Sequence, residues 1–472
     1  MEYYDKLPEA PARIFFVGIG GIGMSGLAQL LVKRGYKVSG SDRGIDEPGK
    51  AELYSCLRQQ GIALFPQDGS GIVQSSPDAL VVSTAVEDGN PDLVAAAGIP
   101  VVHRATALAA ALKATNARLI AVAGSCGKTS VTGWLASALH ALGERVLVVN
   151  GGYYAGEATP PFPGNFMSDD NPQWAVAEID ESDHSISAFS PDYGLLLNVG
   201  NDHYGEDELR KVFASFLTRC RFGAVTSTEL KGLAANVSCP LGLFDTKQSD
   251  SDVVFPTDYS MDADGISFNA NLFGRVRSGE SGRHSSYNAC AVLAMLRMLG
   301  LNHTDGELAA AIAAFPGIRQ RFEVMGRRDD GAVLVNDYAH NPEKIEAALS
   351  TAHERFGGPI VAFFQPHGFT PLGFMREKLI EKLALNLLPG DSFCMLPVFY
   401  AGGTAAFSPT SEEIVAELVA KGLCRDGVHL SALSRENART AIEAAPGRKA
   451  IIVMGARDSS LRPWTASLLH DN

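Results

Sequence analysis

The chain has 472 residues, with 40 Lys and Arg against 53 Asp and Glu, for a formal net charge of −13. Hydrophobic residues make up 46% and charged residues 20%, a globular balance with room for about three domains, which excludes extended disorder. The acidic excess argues against nucleic acid held by bulk charge, although a few backbone N–H groups and one lysine still suffice for a small polyanion.

Residues 13–17 predict a buried strand, followed by Gly18-Ile-Gly20-Gly21-Ile-Gly23. A helix over 24–34 closed by Gly35, then a second strand at 37–39, lead to Asp42. Glycines so placed let backbone approach a diphosphate, and the helix N-terminus adds N–H groups and partial positive charge. An acidic residue about 20 positions on completes a dinucleotide pattern. A dinucleotide, another nucleotide diphosphate or a bare turn between strand and helix all fit. Residues 105–114 predict a helix that closes a first domain, 1–114.

Residues 118–123 predict a second buried strand, and Gly124-Ser125-Cys126-Gly127-Lys128-Thr129-Ser130 follows before a helix over 131–142. Val122 stands where GxxxxGK[ST] has its first glycine, but the strand–loop–helix setting supports a phosphate loop. Backbone N–H groups would cradle phosphate oxygens, Lys128 would reach the terminal phosphates and Thr129 would ligate Mg²⁺. A second phosphate loop is of little use to a nicotinamide enzyme and points to ATP-driven chemistry on a nucleotide-linked substrate. Residues 151–172, rich in Gly, Pro and Asn, predict a loop. Two further strands are expected at 174–179 and 193–199. The first runs into Glu178, Asp180, Glu181 and Asp183, and the second leads through Asn198 to Asn201, Asp202 and His203. Strand ends in a parallel sheet share one edge, so these groups should gather near the phosphate loop, where carboxylates and a neutral histidine suit Mg²⁺ or Mn²⁺. A polar turn before a strand at 332–336 and Asp337 marks the last boundary, giving a central domain at 115–325 and a C-terminal domain at 326–472.

The whole reads as α/β, with strands alternating with amphipathic helices. No apolar run reaches the roughly 20 residues of a membrane span. The N-terminus lacks a signal-peptide order. Seven scattered cysteines without a CxxC pair fit free thiols in a reducing cytoplasm.

Together these motifs resemble the Mur ligase family, ATP-dependent ligases that add amino acids to UDP-N-acetylmuramate in peptidoglycan synthesis. The resemblance rests on Phe16–Gly26 and Val38–Asp42, Ala123–Ser130, Ala177–Asp183, Asn198 with Asp202 and His203, Gly282–Ala289, Arg321–Glu323, Asp337–Pro342 and Phe364–His367, in that order. It implies a Rossmann-like N-terminal domain, a P-loop central domain with a mostly parallel sheet, and a Rossmann-like C-terminal domain, which should close on binding ATP and the UDP-sugar. It assigns the UDP-sugar to Gly18, Gly20, Gly21, Gly23, Met24, Ser25, Asp42, Ser83 and Arg104. ATP falls to Gly124–Ser130, with Asn288 on adenine and with Arg321 and Asp337. The metal falls to Thr129, Glu178 and His203, with Glu181 in reserve. His340 and His367 are placed at the incoming amino acid, and Lys128, His203, Arg321 and His340 at the reacting groups. The implied reaction forms an acyl phosphate from the sugar carboxylate, which an amine then displaces.

The chain also departs from the family. Cys126 replaces a usual His, Ser285 replaces a common Asn, Gly368–Pro371 stands where the L-alanine-adding branch has two arginines, and Arg457 interrupts a glycine-rich turn. Pro163–Phe166 and residues 42–51 are similar to the recycling branch, which attaches the tripeptide L-Ala-γ-D-Glu-meso-diaminopimelate. L-alanine is the expected amine, the tripeptide the alternative; a non-catalytic UDP-sugar and ATP binder and an NAD-dependent oxidoreductase are the competing readings.

Overall fold

Residues 13–17 carry apolar side chains on both faces, and in the computed structural model they form a central strand for that reason. Ile14 and Phe16 enter one buried cluster, while Phe15 and Val17 enter another on the opposite face. Such two-sided burial is what a parallel sheet covered by helices requires. The structure describes residues 3–155, 163–180, 185–200, 206–400 and 407–470.

The first sheet has five parallel strands in the order Ala63–Phe65, Lys37–Ser41, Arg13–Val17, Ala79–Val82, Val101–His103. The strand order reverses beside Arg13–Val17, so the glycine loop leaves at the switch point, where α/β sheets leave a crevice. The expected helix appears as Ile22–Lys33 and the one before residue 115 as Arg104–Lys113.

A seven-stranded sheet follows, with Arg118–Ala123 between Trp174–Glu178 and Tyr193–Leu196. Gly223–Ser227 and Leu241–Phe244 extend one side in parallel, and Val146–Val149 the other. Phe166–Ser168 pairs antiparallel with Val146–Val149 at the edge. This corrects the expectation of a loop over all of 151–172: Phe166 is buried, and burial converts a Gly- and Pro-flanked segment into an edge strand. The helix after the phosphate loop is Lys128–Ala141, a turn earlier than the expected 131–142. Gly127 precedes it at φ 84, a left-handed conformation that glycine adopts without steric cost, and this lets the helix begin at Lys128. A three-stranded sheet, Pro256–Asp262, Gly265–Ala270 and Gly274–Ser278, was not legible in the sequence.

Asn165 is fully buried where the helix Ile22–Lys33 meets the second sheet. Its Nδ2 donates to Ile22 O at 2.7 Å and to Ser25 Oγ at 2.9 Å, and its Oδ1 accepts from Gln29 Nε2 at 3.0 Å. Replacing Asn165 by alanine orphans these buried groups. The expected loss is about 2–3 kcal/mol, read as a lower denaturant midpoint for the segment carrying these two sheets.

The chain packs as two compact units. One runs to Ser260 and includes Ile266–Ile318; the other comprises Met261–Gly265 and the chain from Arg319. The second unit therefore takes up residues ahead of the expected start at 326, because Glu323–Arg327 is a strand of its sheet, antiparallel to Val333–Asp337. That sheet continues in parallel through Ala450–Gly455, Ile360–Gln365, Ser392–Met395 and His429–Ala432. Among the described residues, no helix is long and apolar enough to cross a membrane.

Candidate active site

The first glycine loop is held from below. Asp42, 7% exposed, accepts the Gly20 N–H at 2.8 Å on Oδ2 and the Gly44 N–H at 2.9 Å on Oδ1, with Lys50 Nζ 3.4 Å away. Its carboxylate faces the chain's own amides. A side chain on Gly20 would fall 2.7 Å from that carboxylate, so the backbone lies closely against it. Met24 is packed in the core, and Ser25 is fully buried, donating to Ile22 O and accepting from Asn165. These two expected ligand residues thus sit inside the helix packing. Gly21 is exposed as the helix N-cap, Gly18 turns the chain out of the strand, and Ser83 is half-buried just past Ala79–Val82. Arg104 crosses over Gly23 so closely that a Cβ there would collide with Nη1. Arg104 Nη2 lies 3.6 Å from Asp180 Oδ2, while its Nε is buried without a hydrogen-bond partner.

A cavity of about 220 Å³ opens between these groups and the second sheet, lined by Gly23, Arg104, Asn150, Gly151, Glu178 and Asp180. Glu178, at the end of its strand, accepts the Gly151 N–H at 3.0 Å. Asn150 is 2% exposed and its Nδ2 has no hydrogen-bond partner. Sequence reasoning missed Asn150; its one signal was a polar residue directly after the apolar run 146–149.

The phosphate loop lies over the end of Arg118–Ala123. Lys128 Nζ donates to Gly124 O at 2.6 Å, folding its cation back over the loop. Asn198 clamps Cys126 from both sides, accepting its N–H at 2.8 Å and donating to its carbonyl at 2.9 Å. The Gly200 N–H donates to Ser125 Oγ at 2.8 Å. Cys126 itself is exposed, Thr129 is buried and Ser130 half-buried. Asn288, on the helix Arg283–Met298, has its Oδ1 3.1 Å from where a Cβ on Gly127 would sit. A side chain on Gly151 would strike the Glu178 carboxylate, and one on Gly152 would meet the Thr129 Cγ2 methyl at 2.8 Å, so both residues border one Gly-Gly turn. A hydroxyl and a carboxylate are hard donors that fit Mg²⁺ or Mn²⁺. Glu181, Asp183, Asn201, Asp202 and His203 lie outside the described residues. Among the described residues, no group of three or more His, Cys, Asp or Glu could hold a metal.

In the second unit, Asp337 ends its strand and accepts the Phe322 N–H at 2.6 Å and the Ala339 N–H at 2.7 Å. Burial pushes its carboxyl up to about 6, against the pull of these donors and of the Arg321 and Lys344 charges. Arg321 is exposed. His340 Nδ1 is 2.8 Å from Tyr338 O. A carbonyl only accepts, so Nδ1 carries the proton and Nε2 of the neutral ring is the acceptor. Burial lowers the His340 pKa, and burial together with His340 and Arg457 lowers that of His367 to about 4. The two rings stand 5.2 Å apart, edge to face. The structure thus brings His340 and His367 together, two neutral imidazoles at neutral pH.

Three family descriptions match consecutive parts of the chain: "Mur ligase family, catalytic domain" over 13–116, "Mur ligase middle domain" over 122–296 and "Mur ligase, glutamate ligase domain" over 320–457. A protein of Rhizobium etli named UDP-N-acetylmuramate–L-alanine ligase is 32% identical, covering 98% of this chain and 97% of its own. One of the same name from Sinorhizobium medicae is 31% identical over the same shares. The crystal structure of UDP-N-acetylmuramate-alanine ligase from Thermotoga maritima matches with a TM-score of 0.78 at 25% identity, covering 97% of this chain and 98% of that one. A murein peptide ligase from Psychrobacter arcticus shares the fold at TM-score 0.64 and 21% identity, over 97% and 98%. With its three parts matched in order and its relatives spanned almost end to end, the chain belongs to the Mur ligase family, the ATP-dependent amide ligases of peptidoglycan synthesis.

Proposed function

We propose that this ligase joins L-alanine to the carboxylate of UDP-N-acetylmuramate, converting ATP to ADP and phosphate through an acyl phosphate. The carrying observation is the 32% identity to a named L-alanine ligase over nearly all of both chains. The Gly18–Gly23 loop, the N-terminus of Ile22–Lys33 and Arg104 suit the anionic UDP-sugar. The amides of 124–130 and Lys128 suit the terminal phosphates of ATP, and by resemblance Asn288 serves adenine while Arg321 and Asp337 serve the nucleotide. Thr129 and Glu178, with His203 by resemblance, would hold Mg²⁺ or Mn²⁺, which supplies neutralisation of charge on the transferring phosphoryl group. The incoming ammonium must lose a proton before it attacks, and His340 offers Nε2 as acceptor. Use of ATP and a UDP-sugar supports a cytoplasmic setting.

The test is phosphate release from ATP with Mg²⁺ and UDP-N-acetylmuramate against L-Ala, L-Ser, Gly and the tripeptide. Stimulation by L-alanine above the others upholds the reading. Preference for the tripeptide replaces it with the recycling reaction, and no stimulation leaves a binder.

Asp337 sets a pH expectation. Its raised pKa means the carboxyl is neutral below about 6 and ionised above. If the ionised form serves ATP, kcat/KM for ATP falls as pH drops through 6. Asp337→Asn should lower the plateau and remove that limb; an unchanged limb would exclude Asp337 as its source.

A further inference from the structure

The carboxyl ends of three adjacent strands meet in the second unit. Ala450–Gly455 lies between Val333–Asp337 and Ile360–Gln365, parallel to both, with Asp337 opposite Met454 and Gln365 opposite Gly455. The loops therefore leave side by side: His340 follows the first strand, His367 the third, and Arg457 the strand between them. Arg457 is exposed and makes no ion pair or side-chain hydrogen bond among the described residues. Its neighbour Asp458 does not neutralise it. That carboxylate is taken by Arg435 Nη2 at 2.5 Å and by the Ser460 N–H and Oγ–H at 2.9 and 2.6 Å. Arg435 also donates to Gln365 Oε1 at 2.6 Å, which pins the Arg457 turn to the end of the third strand.

Two further observations point to a ligand here. Arg457 sits at φ 67, a left-handed conformation that is strained for a non-glycine residue and is retained most often where a side chain has a function. His367 Nδ1 is buried without a hydrogen-bond partner. Arg376, the next basic residue after His367, pairs with Glu417. The charges of Arg321 and Lys344 act on Asp337 and His340, whereas that of Arg457 reaches both imidazoles.

We propose that the Arg457 guanidinium holds the α-carboxylate of the incoming amino acid beside His340 and His367. The proposal rests on the amide-ligase reading and deepens it. A substrate whose amino group and free carboxylate share one carbon is selected, and a peptide whose first carboxyl is already an amide is not. The variants are Arg457→Ala and Arg457→Gly, the second chosen because glycine accepts this backbone conformation without strain. Both should raise the KM for L-alanine about 10- to 100-fold, the range expected for a lost charge-assisted hydrogen bond, and leave the KM for ATP and for UDP-N-acetylmuramate within about twofold. Arg457→Gly should unfold at or above the wild-type temperature, which separates the effect from misfolding. Wild type should prefer L-alanine over L-alaninamide, and both variants should erase that preference. An unchanged KM for L-alanine, or an unchanged preference, overturns the proposal. Calorimetric titration of L-alanine into the full-length enzyme loaded with UDP-N-acetylmuramate and a non-hydrolysable ATP analogue keeps the test separate from turnover. If wild type releases no phosphate with L-alanine, the activity reading fails by itself. Binding that is lost in Arg457→Gly still upholds the carboxylate site, and equal binding, or none to wild type, overturns it.

Discussion

Lys128→Ala is expected to lower UDP-sugar-dependent phosphate release by about 10³-fold, with protein stability nearly unchanged. Lys128 is the first residue of its helix, and Nζ curls back to Gly124 O at 2.6 Å, so its cation is held over the loop. Phosphoryl transfer leaves the protein little covalent work; positioning and charge carry the rate, and removing one preorganised donor costs about 10² to 10³ in kcat. The loop has other braces besides this side chain. Asn198 braces Cys126 on both sides and Ser125 accepts from Gly200. The variant should therefore retain UDP-sugar affinity, measured by calorimetry, while losing turnover. Unchanged phosphate release would remove Lys128 from the reaction.

Glu178→Gln is expected to lower kcat by about 10²-fold and to raise the Mg²⁺ concentration needed for half-maximal activity, in line with loss of an anionic ligand near the transferring phosphoryl group. The amide keeps an oxygen able to accept the Gly151 N–H, so the Gly-Gly turn is retained and the change isolates charge. Glu178 also borders the cavity beside Arg104 and Asp180. Loss of the carboxylate there should leave the KM for L-alanine within about twofold, because the proposed amino-acid site uses other residues. A kcat and Mg²⁺ dependence equal to wild type would show that Glu178 serves only to hold Gly151.

The first of these effects falls on a residue that local pattern exposed, the second on one that the family resemblance picked out of an acidic strand end. A strand ending in a glycine turn and opening a helix is written in neighbouring residues, and for that reason 13–17, 118–123 and the loops after them were readable. Boundaries were less so. The helix at Lys128 begins a turn early because one glycine at φ 84 redirects the chain. The segment 166–168 pairs at a sheet edge because Phe166 finds a buried site contributed by distant residues. Asp42 is a case between the two. Its position after the second strand was plain, but only the fold turns its carboxylate inward to Gly20 and Gly44.

By itself, then, the sequence determined the α/β class, the two glycine loops between strand and helix, the order of the family motifs and the candidacy of Lys128 and Thr129, since each depends on spacing within a few residues; the choice of Glu178 among its acidic neighbours came from the family resemblance. Tertiary structure alone decided that Met24 and Ser25 turn inward, that Asn198 clasps Cys126, that Asn150 and Arg104 share a cavity with Glu178, and that the strand leading to Arg457 lies between those leading to His340 and His367. The physical reason is strand order. Parallel sheets place sequence-distant strands side by side, and the neighbours at their carboxyl ends follow from packing of whole layers, which no local spacing encodes.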